Sequence, residues 1–597
     1  MEQEPGELPL ASEFPAATRE QWQQLAAKVL RRSGDPGDAP ERELATITAD
    51  GIEIAPLYVA DDGRLDPGYP GQAPFVRGAA AAGHRTGWDI RQRHEHPDPA
   101  AAREQVMEDL EGGVTSLWLG VGDGQIPIDA LPDVLADVYL DLAPVILDAG
   151  ARFAETAEAF LEVATSRGVR ADALAGCLGA DPLGVLARTG DEAGLDGAAA
   201  LAARCSAEFP GTRAIVVDAL PFHEAGGTEA QELGFCMAAG AEYLRAMHAA
   251  GLSGAAAAGQ LEFRFAATAD QFATIAKLRA ARRIWSRVLQ LCGVPASAAG
   301  QRQHAVTSWP MLTRRDPWNN ILRATLACFA AGVGGADAVT VFPFDAAIGQ
   351  PDRLARRVAR NIHALLAEES HIASVIDPAG GSWYVEDLTE QLAIRAWARF
   401  QDIERAGGLR AALASGLVAG ELAASREAHR DAVARRKEAV TGVSAFPLVG
   451  EALLDRPPRQ PADQAGGLPR IRWAQWHEEL RDRADAHARA TGSPPTVTLA
   501  LLDASRATAA QADRVTALLA PAGIATVQAD PQAPADPAPR AVVACGSPDA
   551  DPDEIQAPVE RGRAGGALVA FAADEVLADG LDVLEFGGRV LAALGVA

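Results

Sequence analysis

The chain has no C-x-x-C pair: its cysteines, Cys177, Cys205, Cys236, Cys292, Cys328 and Cys545, are widely scattered. That spacing argues against a structural zinc site and against a disulfide framework, so reduced and mostly buried thiols are expected. No apolar run approaches the ~20 residues that span a bilayer. The opening MEQEPGELPL lacks the charged-then-apolar layout of a secretory signal, and a cytoplasmic chain is expected. Positive charge is also short. Lys and Arg number 54 against 80 Asp and Glu, a net charge of −26, which argues against nucleic acid or an anionic membrane as the main partner. The chain carries no G-x-x-x-x-G-K-[ST] phosphate loop, no H-E-x-x-H zinc helix and no G-x-S-x-G nucleophile elbow.

What is present is a long, core-forming chain. Its 597 residues exceed what one core fills and point to two or three domains, and 48% hydrophobic residues are ample for burial. Residues 1–50 read as an N-terminal arm with one helix over 18–32, where Trp22, Leu25, Ala26, Val29 and Leu30 recur at helical spacing before the breaker run at 33–37. Residues 51–400 read as a barrel region. Strand-like runs at 88–92, 115–120, 144–149, 174–179, 213–218, 260–265, 302–307 and 337–342 alternate with longer amphipathic stretches. Eight strands, each followed by a helix, close a (β/α)8 barrel; a doubly wound open sheet is the rival, and the count favours the barrel.

Residues 401–494 read as a helical region and linker, with helices at 391–406 and 409–437, a Pro-rich stretch at 456–461, and Trp473 and Trp476 on a core-facing helix. Residues 495–597 read as a small flavodoxin-like α/β domain: strands at 497–502, 524–528, 540–545 and 567–571, a helix at 507–519, and a surface loop at 530–539.

Barrels of this kind place chemistry at the C-terminal ends of their strands. Those ends supply Arg91 and Arg93, Asp123, Asp148, Asp181, His223 with Glu224, Arg264, His304 with Thr307, and Phe342 with Asp345. His223 and His304 are the residual catalytic candidates, since an imidazole there can polarise a carbonyl or shuttle a proton. A satisfied, half-buried histidine is the plainer reading of each.

Several stretches carry a resemblance: 51–58 (GIEIAPLY), 74–78 (PFVRG), 88–92 (WDIRQ), 224–227 (EAGG), 276–282 (AKLRAAR), 316–320 (DPWNN), 357–361 (RVARN) and 376–382 (IDPAGGS). In order and spacing, over roughly residues 45–410, the chain resembles the adenosylcobalamin-dependent acyl-CoA mutase family. The resemblance implies an acyl-CoA threaded along the barrel axis and cobalamin held over the barrel mouth by the C-terminal domain. It implies an adenosyl radical that exchanges a carboxyl-thioester group with hydrogen, as between methylmalonyl-CoA and succinyl-CoA.

The chain departs from that pattern at several functional positions. The cobalt-ligating D-x-H-x-x-G of the family is matched by residues 503–508 (DASRAT), which hold no histidine, and every histidine of the chain falls at or before His487. The tyrosine expected after W-x-I-R-Q is Arg93. The histidine of H-x-Q-E-A-G is Pro221, with His223 two residues late. H-x-Q-T-S keeps His304 but replaces the amide with Val306; the asparagine near the last strand end is Phe342, and the ribose-binding glutamate is Ala346. Gln260 and Glu262 stand for the arginine and serine that meet the CoA tail.

The resemblance therefore implies a non-catalytic small subunit paired with a large catalytic subunit that holds the adenosylcobalamin. No catalytic, cofactor-binding or metal-binding residue is assigned to this chain beyond His223 and His304. The alternatives are a diverged acyl-CoA mutase acting on its own substrate, and an assembly or regulatory protein for a mutase.

Overall fold

The computed structural model describes residues 17–32, 40–60, 66–83, 87–459, 466–529, 541–546, 568–571 and 580–596. The 33–37 breaker run, the whole 530–539 loop and residues 460–461 of the Pro-rich stretch lie outside them.

A short antiparallel pair, β1 (Thr46–Ile47) and β2 (Glu53–Ile54), precedes the main body. Eight parallel strands then close a barrel in sequence order: β3 (Asp89–His94), β4 (Ser116–Gly120), β5 (Val145–Asp148), β6 (Gly176–Ala180), β7 (Thr212–Asp218), β8 (Leu261–Ala267), β9 (Gln303–Thr307) and β10 (Ala338–Thr340). Both faces of these strands are covered, which is why β4 and β8 are buried at every position, the charged Glu262 and Arg264 of β8 included. Residues alternate across each strand. Leu117, Leu119 and Leu147 pack outward against the helical ring, while Trp118, Ile146, Val216, Ala266 and Val306 form a separate cluster inside the barrel.

The helices start where the chain offers a short oxygen-bearing side chain. Asp98, Asp181, Thr228, Asp270 and Asp352 each accept a backbone N–H from the first turn of the helix that follows them. Helices Glu229–Ala249 and Gln271–Leu291 form the best-buried wall, packed on Trp383–Arg405. Gly240 is required there, because a Cβ would lie 2.8 Å from the Trp285 ring.

The stretches that carry the family resemblance are buried ties within this wall. Lys277 donates to Glu232 (2.6 Å), Arg279 pairs with Asp377 and Glu386, and Arg282 donates to the carbonyls of Phe75 (3.0 Å) and Val76 (2.8 Å).

Beyond the barrel, the stretch expected as one helix over 409–437 is two, Leu409–Ala414 and Leu417–Ala434. The break falls at Gly416, whose φ of +77° lies in the left-handed region that glycine adopts freely. The C-terminal sheet is four-stranded and parallel, ordered β12 (Ala525–Ala529), β11 (Thr496–Leu501), β13 (Ala541–Cys545) and β14 (Leu568–Phe571). Its core draws in Leu480 and Ala484 of helix Gln475–Thr491. Among the described residues no helix is long and apolar enough to cross a membrane.

Candidate functional site

The alternation of β3 turns Arg91 and Arg93 into the barrel, two residues apart on one face. At the lower level Arg91, 1% exposed, pairs with Glu262 and with Asp89 (3.0 Å) and donates to Ser116 (3.1 Å). Glu262 also accepts from Arg302 (3.2 Å). Burial alone would raise the Glu262 carboxyl, but Arg91 and Arg302 outweigh it and hold it far below its ordinary value.

The middle level is a stack. The Trp118 ring lies between two guanidiniums, Arg93 at 4.2 Å and Arg264 at 4.1 Å from its centre, and His304 meets its edge at 5.3 Å and 86°. Arg264 donates to His304 Nδ1 (3.2 Å) and to Asp218 (3.0 Å). Nδ1 therefore accepts, which puts the ring proton on Nε2 for donation to Thr340 (2.8 Å). Burial, then Arg91 and Arg264, hold the His304 pKa well below the usual range, so the ring is neutral.

At the mouth, Arg93 reaches Asp148 (2.7 Å) and Glu95 (2.6 Å), and Arg188 pairs with Asp218. The space left between Asp148, Asp181, Arg188, Asp218 and Arg264 is a cavity of about 10 Å³, the room of a single water. Sites for small organic ligands run to ~300–1,000 Å³.

The mouth is also covered by the chain's own linker. Arg456 pairs with Asp345 (2.6 Å) and Asp352 (2.7 Å), Arg459 pairs with Glu95, and Arg470 pairs with Glu224 (2.8 Å) while lying 3.9 Å over the Trp309 ring. Backbone bonds fasten the segment: Gln350 N–H to Pro457 O (2.8 Å), Leu468 N–H to Ala187 O (2.8 Å) and Ile471 N–H to Glu224 O (2.8 Å). Burial raises Glu95, yet Arg93 and Arg459 outweigh it and leave its carboxyl at about 2.

The two histidine candidates are not brought together. His304 is the second residue of β9, deep in the barrel rather than at the strand's end, and is committed to Trp118, Arg264 and Thr340. His223 sits on the short helix Leu220–Glu224 after β7. Its Nε2 is 2.7 Å from Ser308 Oγ and its Nδ1 3.6 Å from Glu232, which Lys277 and the Ala266 N–H hold from the other side. Burial, then Lys277, keep His223 neutral, and the Trp473 ring packs against it at 6.2 Å. Trp473 itself lies before helix Gln475–Thr491 rather than on it, held by its N–H to Pro310 O (2.9 Å). Glu262, which stands where the resemblance places a residue that meets the CoA tail, is instead taken up in neutralising Arg91 and Arg302. Sequence reasoning does not reach the sealing residues Arg459 and Arg470; the signal for Arg459 is the pair of arginines, Arg456 and Arg459, in the Pro-rich stretch of an acidic chain, and Arg470 lies beyond that stretch.

A family profile described as Methylmalonyl-CoA mutase matches residues 47–122 and 119–522. The chain belongs to the methylmalonyl-CoA mutase family. It is 51% identical over 610 residues to the methylmalonyl-CoA mutase small subunit of Streptomyces virginiae, covering 99% of each chain. It is 40% identical over 513 residues to the small subunit of Propionibacterium freudenreichii subsp. shermanii, covering 84% of this chain and 79% of that one. To the methylmalonyl-CoA mutase of Escherichia coli it is 31% identical over 462 residues, covering 72% of this chain and 64% of that one.

Mutases of this family work with cobalamin, and the loop after β11 is where the C-terminal residues would have to fit it. In the loop after β11, Asp503 Oδ1 accepts from Ser505 N–H (2.7 Å) and Thr508 Oγ1 (2.6 Å), and Ser505 Oγ caps the following helix at Thr508 N–H (3.1 Å). These groups close on one another. At the adjoining end of β13, Cys545 is fully buried, its thiol pushed up to about 11 by burial. The sequence supplies no imidazole to this domain. A nitrogen ligand for cobalt is missing, and the described residues do not fit the cofactor. Among the described residues no cluster of three His, Cys, Asp or Glu is arranged to hold a metal ion.

Proposed function

We propose that this chain is the non-catalytic small subunit of a heterodimeric methylmalonyl-CoA mutase, with a large subunit that holds adenosylcobalamin and interconverts methylmalonyl-CoA and succinyl-CoA. One observation carries this reading: the barrel axis is occupied by the chain's own side chains, Arg91 with Glu262 below and Trp118 between Arg93 and Arg264 above. A thioester threaded there would have to part buried ion pairs, and stranding one member of such a pair costs about 3–5 kcal/mol.

The linker over the mouth supports the same conclusion, because a corrin would need the space that Arg459, Arg470 and Trp309 fill. The names of the small-subunit relatives point the same way. In this reading residues 1–50 serve as an arm toward the partner, 51–400 as a closed barrel, 401–494 as helical region and linker, and 495–597 as a cobalamin-type fold without its histidine. Helix Arg19–Leu30 suits an arm: Thr18 and Gln21 close a capping box at its start, it buries no residue, and Leu25 and Val29 are 65% and 64% exposed. The compartment in this reading is the cytoplasm.

Expression of the chain alone, and with the large subunit of the same organism, tests the proposal through cobalamin absorbance and mutase turnover. No cofactor and no turnover are expected alone, and a one-to-one active complex together. Bound cobalamin or turnover in the isolated chain overturns the reading. Undiminished complex formation after deletion of residues 1–40, by size-exclusion chromatography, rejects the role of the arm.

A further inference from the structure

Helix Asn319–Val333 carries one charged residue, Arg323, fewer than helices of similar length such as Phe153–Ser166 and Leu195–Glu208. That residue does not face water freely. Its guanidinium donates to Asn320 Oδ1 (2.8 Å), Thr313 Oγ1 (3.1 Å) and the Thr441 carbonyl (2.5 Å), which ties the helix to the turn that follows residue 440. The outer stripe of the helix is apolar and open: Trp318, Leu322 and Leu326, at i, i+4 and i+8, are 51%, 63% and 44% exposed.

The turn adds to the same flank. Its backbone closes on itself, Gly442 N–H to Ala445 O (2.7 Å) and Ser444 N–H to Val440 O (2.9 Å), and the chain then presents Phe446 with 89% of its surface exposed. Phe446 has a φ of +56°, a left-handed conformation that a phenylalanine rarely adopts. Leu448, 66% exposed, follows it. A strained, rigidly based aromatic aimed at solvent has no role in the fold of the isolated chain.

We propose that the face built by Trp318, Leu322, Leu326, Phe446 and Leu448 is where the large subunit docks, with Phe446 as its anchor. This rests on the small-subunit reading given above. The area supports a folded partner: five large apolar side chains at these exposures offer on the order of 500–700 Å², near the ~800 Å² each partner gives to a standard interface and above what a monomer usually leaves open. None of the five lines either of the two large surface grooves, so the face suits a folded chain rather than a peptide or small ligand. A second copy of this chain is the poorer occupant, since each copy brings a net charge of −26.

The test uses the full chain and the large subunit of the same organism, with light scattering for stoichiometry and titration for affinity. Phe446→Gly relieves the strained φ, so the variant is expected to melt no lower than the parent while binding the large subunit at least tenfold more weakly. Leu322→Glu is expected to weaken binding similarly, and Leu142→Glu, at a still more open leucine outside the face, to leave it unchanged. If the parent forms the one-to-one complex and both face variants bind as tightly as it does, the docking assignment falls and the small-subunit reading stands. If the parent does not bind the large subunit at all, both fall. If the parent alone dimerises and Leu322→Glu abolishes the dimer, the face belongs to a second copy and the assigned partner is wrong.

Discussion

The guanidinium of Arg264 lies 4.1 Å from the centre of the Trp118 ring, in the axis of the barrel. In that position an indole does what a ligand does in an open barrel: it fills the axis and gives the inward-facing cations a surface to lie on. Arg93 on the opposite face completes the sandwich, and Asp218 and Asp148 neutralise the two guanidiniums from the strand ends.

Replacing Trp118 with Ala should therefore cost more than an ordinary core truncation. Loss of a buried Trp is worth about 3–5 kcal/mol, and desolvated cation–π contacts add about 2 kcal/mol. Urea unfolding should report a destabilisation of at least about 4 kcal/mol, with the complex, if it still forms, retaining turnover per assembled pair. A cost under about 1 kcal/mol would mean the stack is not holding the barrel.

Arg91 and Glu262 give a sharper case, since each is stranded when the other is removed. Either Arg91→Met or Glu262→Leu alone should destabilise by about 3–5 kcal/mol, while the double variant should cost clearly less than the larger single. A thermodynamic cycle by chemical denaturation measures the coupling. Additive losses would show that the pair is not a unit, and Asp89 and Arg302 would then be carrying the compensation.

Much of this architecture was legible beforehand, and the reason is local. Buried parallel strands read as short apolar runs, and their helices announce themselves through Asp98, Asp181, Asp270 and Asp352 at the caps. The filled axis was less legible. His304 looked like a mouth residue because its depth depends on register, with Ala338 of β10 paired to it and Thr340 brought within 2.8 Å. The seal was invisible for a different reason: Arg470 and Glu224 are 246 residues apart, and no periodicity links a Pro-rich linker to a strand end. What the sequence did expose were losses of ligand-binding groups; what replaced them, Arg93 on Trp118 and Glu262 on Arg91, only the closed barrel brings together.

The pH response has a component traceable to Asp181. Its Oδ1 accepts from Tyr243 OH (2.7 Å) and Gly184 N–H (3.1 Å), while the buried Oδ2 accepts no hydrogen bond and lies 3.7 Å from the Arg188 guanidinium; burial outweighs Arg188 and raises the carboxyl to about 7. The folded chain thus keeps a proton that the unfolded chain releases near pH 4, so this stabilisation is full in acid and is lost as pH rises toward and through 7. Buried neutral His94, His223, His304 and His363 act oppositely: their depressed pKa values contribute stability above about 6.5 that is lost as pH falls. Comparison with Asp181→Asn isolates the first effect, because the amide keeps the Oδ1 acceptor and cannot ionise. The variant's gain over the parent should be larger at pH 8 than at pH 5 by about 1–3 kcal/mol, and should vanish only below about pH 4. Parallel stability curves at the two pH values would remove Asp181 from the account.

The linker seal makes a prediction about motion rather than global stability. Arg470 is only partly buried, and its removal takes away one ion pair with Glu224 and one stacking contact with Trp309, contacts worth about 0.5–2 kcal/mol together at such a site. Arg470→Ala should leave the unfolding midpoint nearly unchanged. It should instead loosen the strap locally, because the described residues of the segment are held at discrete points, Arg456 on Asp345, Arg459 on Glu95 and Ile471 on the Glu224 carbonyl, rather than by a continuous sheet or helix. Hydrogen exchange should therefore accelerate several-fold at the amides of Leu468 and Ile471, whose partners are Ala187 and Glu224, and not at barrel amides such as Leu117. Arg470→Lys keeps the charge but not the flat contact with the indole, so it should fall between the parent and the alanine variant. Equal acceleration throughout the barrel would mean that the strap and the barrel open as one unit, and that the mouth is closed by the strand ends alone.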